Sequence, residues 1–196
     1  MRPKILLVVA LAFCLCLAAP AFAQNLIANG SFETGDFSGW TTGGNFEASS
    51  VTFGGFYDYS GAQDGTWYAV LGPVGSDGTL SQTLATTPGS VYTVSFWLAG
   101  VGDDPSDFSA FWNGTQLISL TDPNTGSNWM QYSFTVTGTG SDTLSFSFRD
   151  DPAWIAFDNV SVTEVSGTSV PEPGSLLLLG TGVLGLGGIV RRKLGR

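Results

Sequence analysis

Between residues 25 and 165 the apolar residues alternate with polar ones in short runs, and no run shows the helical period of about 3.6 residues. The clearest runs centre on Phe96, Phe134 and Phe146. Clusters of Gly, Pro, Asp, Asn and Ser separate them. This pattern predicts an all-β antiparallel β-sandwich, in which each strand turns one face to the core and the other to solvent.

The alternation also places the strands along the chain. We expect strands near residues 46–52, 67–71, 80–84, 92–98, 108–112, 116–120, 130–136, 143–148 and 155–163. Asn113-Gly114 lies between two of these runs. Both central residues of a type I′ turn need positive φ, which Asn and Gly tolerate, so this pair predicts a tight hairpin.

Residues 1–23 have the organisation of a secretory signal peptide. Arg2 and Lys4 precede an apolar run, and Ala21-Phe22-Ala23 predicts cleavage before Gln24. A lipoprotein signal is the alternative, but Cys14 and Cys16 lie inside the apolar run. They are the two cysteines of the chain, so we expect an exported domain, residues 24–169, without disulfides.

Charge excludes several functions for this domain. Six of the seven basic residues lie in the two ends, as does one of the 16 acidic residues, which leaves Arg149 against 15 carboxylates. Such a domain repels nucleic acid and anionic lipid and favours divalent cations. It has no histidine, cysteine or lysine, which excludes most nucleophile–base pairs and metal sites with nitrogen or sulfur ligands.

Residues 170–196 form a second targeting segment. Val170-Pro171-Glu172-Pro173 is expected to be extended, since proline fixes φ and lacks an N–H. Residues 176–190 are uncharged and precede Arg191, Arg192 and Lys193 in the basic tail, residues 191–196. As a helix this run spans about 22 Å, less than the roughly 30 Å of a bilayer core, so it predicts a marginal membrane helix with its basic end in the cytoplasm.

This order of motif, short apolar helix and basic end resembles the PEP-CTERM sorting signal of Gram-negative bacteria. The resemblance implies recognition by the membrane protease-transpeptidase exosortase and processing at the Pro-Glu-Pro motif. The protein would then be anchored transiently in the inner membrane before reaching the cell surface or extracellular matrix. An ordinary, unprocessed C-terminal anchor is the alternative.

The two ends of the domain resemble jelly-roll domains of the galactose-binding-like superfold, particularly carbohydrate-binding modules of families four and nine. The opening carries Asn29-Gly30-Ser31-Phe32-Glu33, and the closing carries Phe157-Asp158-Asn159-Val160. The resemblance implies a structural calcium ion held by Glu33 and Asp158, because carboxylates are hard ligands. Alternatively, the two carboxylates border turns or pair with Arg149. The acidic loop 103–107 lacks the glycine and glutamate of an EF-hand, and we interpret it as solvated.

Alternation places Trp97 and Phe111 on outward faces of their strands, with Arg149 also outward. Together with Tyr57 and Tyr59 they form a hypothetical face for binding extracellular polysaccharide. Ring packing and an ion pair of Arg149 are the simpler interpretation. The sequence therefore predicts a non-catalytic surface or matrix protein. A structural matrix protein without glycan binding is the alternative, and a carboxylate-based glycosidase is the least favoured because nothing nominates one carboxylate pair.

Overall fold

The computed structural model describes residues 24–165, which form two five-stranded antiparallel sheets packed face to face. The strands are β1 (Thr41–Gly44), β2 (Ser50–Phe53), β3 (Trp67–Leu71), β4 (Gly78–Ala85), β5 (Val91–Ala99), β6 (Ser106–Trp112), β7 (Thr115–Thr121), β8 (Met130–Thr137), β9 (Ser141–Asp150) and β10 (Ile155–Glu164). The first sheet has the order β1-β4-β9-β6-β7 and the second β2-β3-β10-β5-β8. The predicted all-β sandwich is confirmed.

The targeting segments lie outside the described residues. This applies to the predicted signal peptide 1–23, the sorting tail 170–196 and its helix 176–190. Among residues 24–165 there is no helix with the length and apolarity needed to cross a membrane.

The core between the sheets is built from the inward phase of the alternating strands. Burial alternates along the whole of β6 and β9, and along β5 as far as Leu98, with mainly aromatic and aliphatic residues inside. At the centre, the rings of Phe146 and Phe157 meet edge to face with centroids 4.8 Å apart, and Phe96 and Phe108 complete the cluster. Burying each such ring contributes about 1.5–3 kcal/mol, so an exported domain can be stable without disulfides.

Most strands occur where alternation predicted them. The bounds of β3 agree with the prediction, and Asn113 and Gly114 have φ of 50° and 76°, which confirms the tight hairpin. Strand β1 was missed because its sequence, Thr-Thr-Gly-Gly, contains no apolar residue. It lies at an edge of the first sheet and is mostly exposed.

A loop covers one end of the outer face of the second sheet. Without this loop, the residues there that point away from the main core would be exposed to solvent. They are Tyr68, Val70, Ala99 and Ala156. Tyr59, from the loop between β2 and β3, packs onto them and is 2% exposed. This small second core fixes the loop that carries the candidate site.

Candidate functional site

Trp97 and Phe111 do not share a face. Trp97 lies on β5 in the second sheet and Phe111 on β6 in the first, and each points away from the core between the sheets. The two half-buried rings therefore lie on opposite outer surfaces of the sandwich. The predicted joint glycan face is wrong because alternation tells inside from outside on one strand but does not tell which sheet the strand joins.

Arg149 lies on the outer surface of the first sheet, the same side as Phe111. Its Nη2 is 3.6 Å from Asp151 Oδ2, and both side chains are partly exposed. The neighbouring surface is hydroxylic: Ser147 Oγ donates to Asp77 Oδ2 at 2.8 Å, and Ser109 Oγ to Ser119 Oγ at 3.2 Å. Asp151 is therefore the partner that the ion-pair interpretation of Arg149 requires. A solvent-screened pair of this kind contributes little stability.

Tyr57 and Tyr59 play different parts in the β2–β3 loop. Phe56 and Tyr59 exchange two backbone hydrogen bonds of 3.0 and 3.1 Å, closing a turn in which Tyr57 has φ of 52°. The turn leaves the Tyr57 side chain 58% exposed. Tyr59 points inward, where its hydroxyl donates to the Trp154 carbonyl. Tyr59, predicted as a ligand-binding residue, is therefore a buried anchor that a glycan cannot reach.

Two exposed rings at this loop are supported by tryptophans. Phe53, 62% exposed, meets Trp67 edge to face at 4.9 Å, and Tyr57 meets Trp154 in the same way at 5.6 Å. Trp154 is itself fixed, because its Nε1 donates to the Ala48 carbonyl at 2.8 Å. We call these four residues, Phe53, Tyr57, Trp67 and Trp154, the aromatic rim. The two pairs lie on different sides of the second sheet: Phe53 and Trp67 share the phase of Val51 and Ala69, which face the main core, whereas Trp154 packs on the outer face. Each pair presents apolar ring surface to solvent in a restrained orientation.

Sequence reasoning did not single out Phe53. The available indication was its position as the last residue of β2 before Gly54 and Gly55, which have no side chains to cover it.

Glu33 and Asp158, the predicted calcium ligands, both hold residues 63–67. Glu33 Oε1 accepts hydrogen bonds from the N–H groups of Thr66 at 2.7 Å and Trp67 at 2.8 Å. Asp158 Oδ2 accepts from Gln63 at 2.8 Å and Asp64 at 3.0 Å, while Oδ1 accepts from Asn159 at 2.7 Å. We call this arrangement the carboxylate clamp.

The clamp does not have the set of oxygen ligands expected for calcium. Its carboxylates face N–H groups, which are donors, whereas calcium requires six to eight oxygen ligands. Within residues 24–165 no group of three or more His, Cys, Asp or Glu could hold a metal ion. Burial raises the pKa of Asp158 to about 7, although the N–H groups of Asp64, Asn159 and Gln63 favour ionisation. Calcium at Glu33 and Asp158 stays a prediction, and the observed contacts fit a clamp on the backbone.

The two sheets, their order and the loop over one outer face define a jelly-roll β-sandwich like that of carbohydrate-binding modules. TmCBM61 in complex with β-1,4-galactotriose superposes with a TM-score of 0.60 at 20% identity, covering 72% of this chain and 99% of the module. The CBM22-1 xylan-binding domain of Paenibacillus barcinonensis Xyn10C superposes with a TM-score of 0.50 at 19% identity, covering 76% of this chain and 100% of that domain. The enzymatically active domain of bacteriophage CBA120 tailspike protein 4 superposes with a TM-score of 0.52 at 20% identity, covering 72% of this chain and 21% of that chain. These likenesses show the fold.

The chain belongs to the family of proteins of unknown function DUF642, whose profile matches residues 25–171. Residues 169–193 match the PEP-CTERM protein-sorting motif, which indicates a secreted protein sorted to the surface. That match contains Val170, Pro171, Glu172, Pro173 and the basic residues 191–193, so the resemblance noted in the sequence is confirmed. A comparison with curated proteins gives no match.

Proposed function

We propose that this protein is a non-catalytic surface or matrix component that binds extracellular polysaccharide through the aromatic rim. The observation that carries the proposal is the exposure of Phe53 and Tyr57, each held edge to face by a tryptophan. Sugar rings have apolar C–H faces that pack on such rings. Solved relatives of the same fold include a module in complex with β-1,4-galactotriose and a xylan-binding domain, which supports a glycan as the ligand class.

Modest affinity is expected from this geometry. A restrained ring loses little conformational entropy when it binds, but a flexible polysaccharide has to be ordered, and that cost offsets part of the contact energy. The domain carries 15 acidic residues and one basic residue, so neutral glycans should bind better than acidic ones. Trp97 lies on the outer surface of the second sheet, the side on which Trp154 packs, so of the two predicted strand rings it is the one on the side of the Tyr57–Trp154 pair.

Sorting by exosortase is the second part of the proposal. The PEP-CTERM motif at residues 169–193 supports an exosortase as partner and a transient stay in the inner membrane of a Gram-negative cell. Processing near Pro171 and Pro173 would then release residues 24–169 to the surface. The released domain, with its glycan-binding face, would then be retained in an extracellular polysaccharide layer.

The absence of catalysis is proposed from the environment of the carboxylates. Asp150 and Asp158 have pKa values raised to about 7 by burial, as a general acid of a glycosidase would. Both side chains are at most 1% exposed, so neither can touch a substrate. The tailspike domain shares the sandwich over 21% of its length, and that part of it does not by itself imply chemistry here.

A structural matrix role is a second candidate, favoured by the outer surface of the first sheet. Its side chains are largely Ser and Thr, as in Ser109, Ser119, Thr83 and Thr143, which bond to one another in pairs at 3.2 Å. Such a surface is well hydrated and offers little apolar contact. It suits a component that fills and solvates a matrix.

Retention on polysaccharide affinity gels separates these functions. Tyr57→Ala and Phe53→Ala should each lower glycan affinity about tenfold, which corresponds to roughly 1.4 kcal/mol. Met130→Ala on β8 is the matched control, since Met130 is 48% exposed but lies outside the rim. Phe111→Ala probes the opposite surface and should bind as the wild type does.

The outcomes decide between the candidates. If the wild type binds no polysaccharide in a broad array, the structural role is correct. If Phe111→Ala removes binding and Tyr57→Ala does not, the glycan site lies on the first sheet and the rim is wrong.

A further inference from the structure

A pair of buried side-chain oxygen atoms lies at one end of the core. Asp150 ends β9 and Ser106 begins β6, and the two are directly paired across these strands. Both side chains follow the inward phase and are 1% and 3% exposed. Within residues 24–165, Asp150 Oδ1 and Ser106 Oγ are buried without a hydrogen-bond partner.

An unpartnered oxygen on a buried carboxylate costs free energy. Buried charges in proteins are paired, hydrogen-bonded or bound to a metal, because otherwise desolvation is not offset. Asp150 and Ser106 do not hydrogen-bond to each other, so the space between them is not closed by a direct contact. Two unsatisfied oxygens side by side can be satisfied together by one cation.

The surroundings of Asp150 are negative. Burial raises the pKa of Asp150 to about 7, the charge of Asp103 adds to this, and the Ala153 N–H opposes it. Asp122 and Asp151 raise the pKa further. Asp122 is fixed on Ser106, because its Oδ1 accepts from the Ser106 N–H at 3.0 Å and its own N–H donates to the Ser106 carbonyl at 2.9 Å.

Within residues 24–165 no basic side chain neutralises this cluster. Arg149 is the one basic residue of the described range, and it precedes Asp150 on the same strand. Successive side chains of a strand point to opposite faces, so Arg149 lies on the outer surface, where it pairs with Asp151. Its charge is therefore directed away from the buried oxygens.

We propose that a calcium ion binds between Asp150 and Ser106, with Asp122 as a further carboxylate ligand. The candidate ligands are hard oxygens, which suit calcium or magnesium and not zinc or copper. Since no three acidic side chains of residues 24–165 are close enough to hold a metal by themselves, backbone carbonyls and water complete the coordination. Calcium accepts such an irregular mixed shell, whereas magnesium demands octahedral geometry.

This site is separate from the carboxylate clamp and does not depend on glycan binding. It revises the interpretation of the acidic loop 103–107 as merely solvated, since Ser106 of that loop is buried in the site. It also lies near the anchor of the aromatic rim. The Tyr59 hydroxyl donates to the carbonyl of Trp154, four residues after Asp150, and burial followed by the charge of Asp150 raises the pKa of Tyr59.

Calcium titration of the purified protein at pH 8 tests the proposal, with thermal unfolding and calorimetry as the readouts. Calcium should raise the melting temperature of the wild type and of Glu47→Gln, a control with the same charge change at an exposed site. Asp150→Asn should lose that rise. Without calcium, Asp150→Asn should melt at or above the wild type, because it removes a buried negative charge among like charges.

Ser106→Ala gives a second, milder test, since it removes one oxygen and should weaken calcium binding at least tenfold. If Asp150→Asn fails to fold, calcium binding by Ser106→Ala tests the proposal. The proposal is overturned if Asp150→Asn or Ser106→Ala responds to calcium as the wild type does. It is also overturned if the wild type binds no calcium, or if magnesium stabilises it equally, which would indicate general screening of an acidic surface.

Discussion

Glu33 and Asp158 stand at opposite ends of the domain sequence, yet each accepts two N–H hydrogen bonds from the same short stretch of backbone, residues 63–67. The clamp therefore joins the first loop, the β2–β3 loop and the last strand. Asp158 points to the outer face by the alternation of β10, in which Ile155 and Phe157 face the core. A β-bulge follows it, with Asn159 at φ of 50°. Beyond the bulge, Val160 and Val162 return to the core.

Gly65→Ala should break one half of the clamp. Gly65 has φ of +67°, and a Cβ there would lie 2.4 Å from Glu33 Oε1. We expect a loss of about 2–4 kcal/mol of unfolding free energy, from backbone strain and weakened bonds to a charged acceptor. Gly54→Ala is the matched control, with the same φ of +67° and nothing within 4 Å of the added Cβ. Equal losses in denaturant titrations of the two variants would contradict a steric role for Glu33.

A separate measurement tests whether calcium binds at Glu33 and Asp158. An ion bound only to the folded state at a hundredfold excess over its Kd would add roughly 2.7 kcal/mol of stability. The clamp predicts that Asp158→Asn lowers the melting temperature with or without calcium, while the rise caused by calcium persists. If Asp158→Asn instead removes that rise, the ion sits at the clamp and the predicted ligand set is correct.

The sequence predicted the fold well because β-sandwich structure follows from local alternation. Ser141–Asp150 alternates over its whole length, and both its location and its inward face could be read directly. Pairing of strands is different, because it depends on contacts distant in sequence. Nothing in the local pattern of Trp97 or Phe111 says which sheet each strand joins, so their common face was an unsupported step.

The candidate site was only partly predictable for the same reason. Tyr57 and Tyr59 are two residues apart in one loop, and composition alone cannot distinguish them. The turn closed by Phe56 and Tyr59 decides that one ring is exposed and the other buried. The unpartnered oxygens of Asp150 and Ser106 likewise become visible only when β6 and β9 are paired.

Processing of both ends is expected from the two targeting segments. Mass spectrometry of the protein recovered from the extracellular fraction should find an N-terminus at Gln24 and a C-terminus near Pro171–Pro173. The PEP-CTERM match at residues 169–193 supports the second cleavage. Extracellular peptides that contain Arg191 or later residues would show that the tail is retained and would rule out sorting by cleavage.

Asp142 should make the stability of the domain depend on acid pH. Its carboxylate is buried and joins three loops: it accepts from Thr139 N–H at 2.8 Å, Thr139 Oγ1 at 2.7 Å, Asn113 Nδ2 at 2.5 Å and Thr86 Oγ1. Burial opposes ionisation, but these hydrogen bonds outweigh it and hold the pKa of Asp142 well below its usual value. The charged form is therefore the one that the folded state favours.

The sign of the pH effect follows from this lowered pKa. Above the unfolded pKa of about 3.9 the stabilisation by Asp142 is fully present, and it is lost as the pH falls through the folded pKa. Asp142→Asn should cost about 2–4 kcal/mol at pH 7, because an amide places N–H groups against donors. The difference from the wild type should shrink below about pH 4 in denaturant titrations.

Asp36→Asn is the control for this measurement. The pKa of Asp36 is also lowered by hydrogen bonds, from Ser38 and Thr34, but its side chain is exposed and water can replace them. We expect little change in stability at any pH for this variant. If the Asp142→Asn difference stays constant from pH 7 to pH 3, the buried carboxylate is not ionised in the folded state, and its hydrogen bonds do not outweigh its burial.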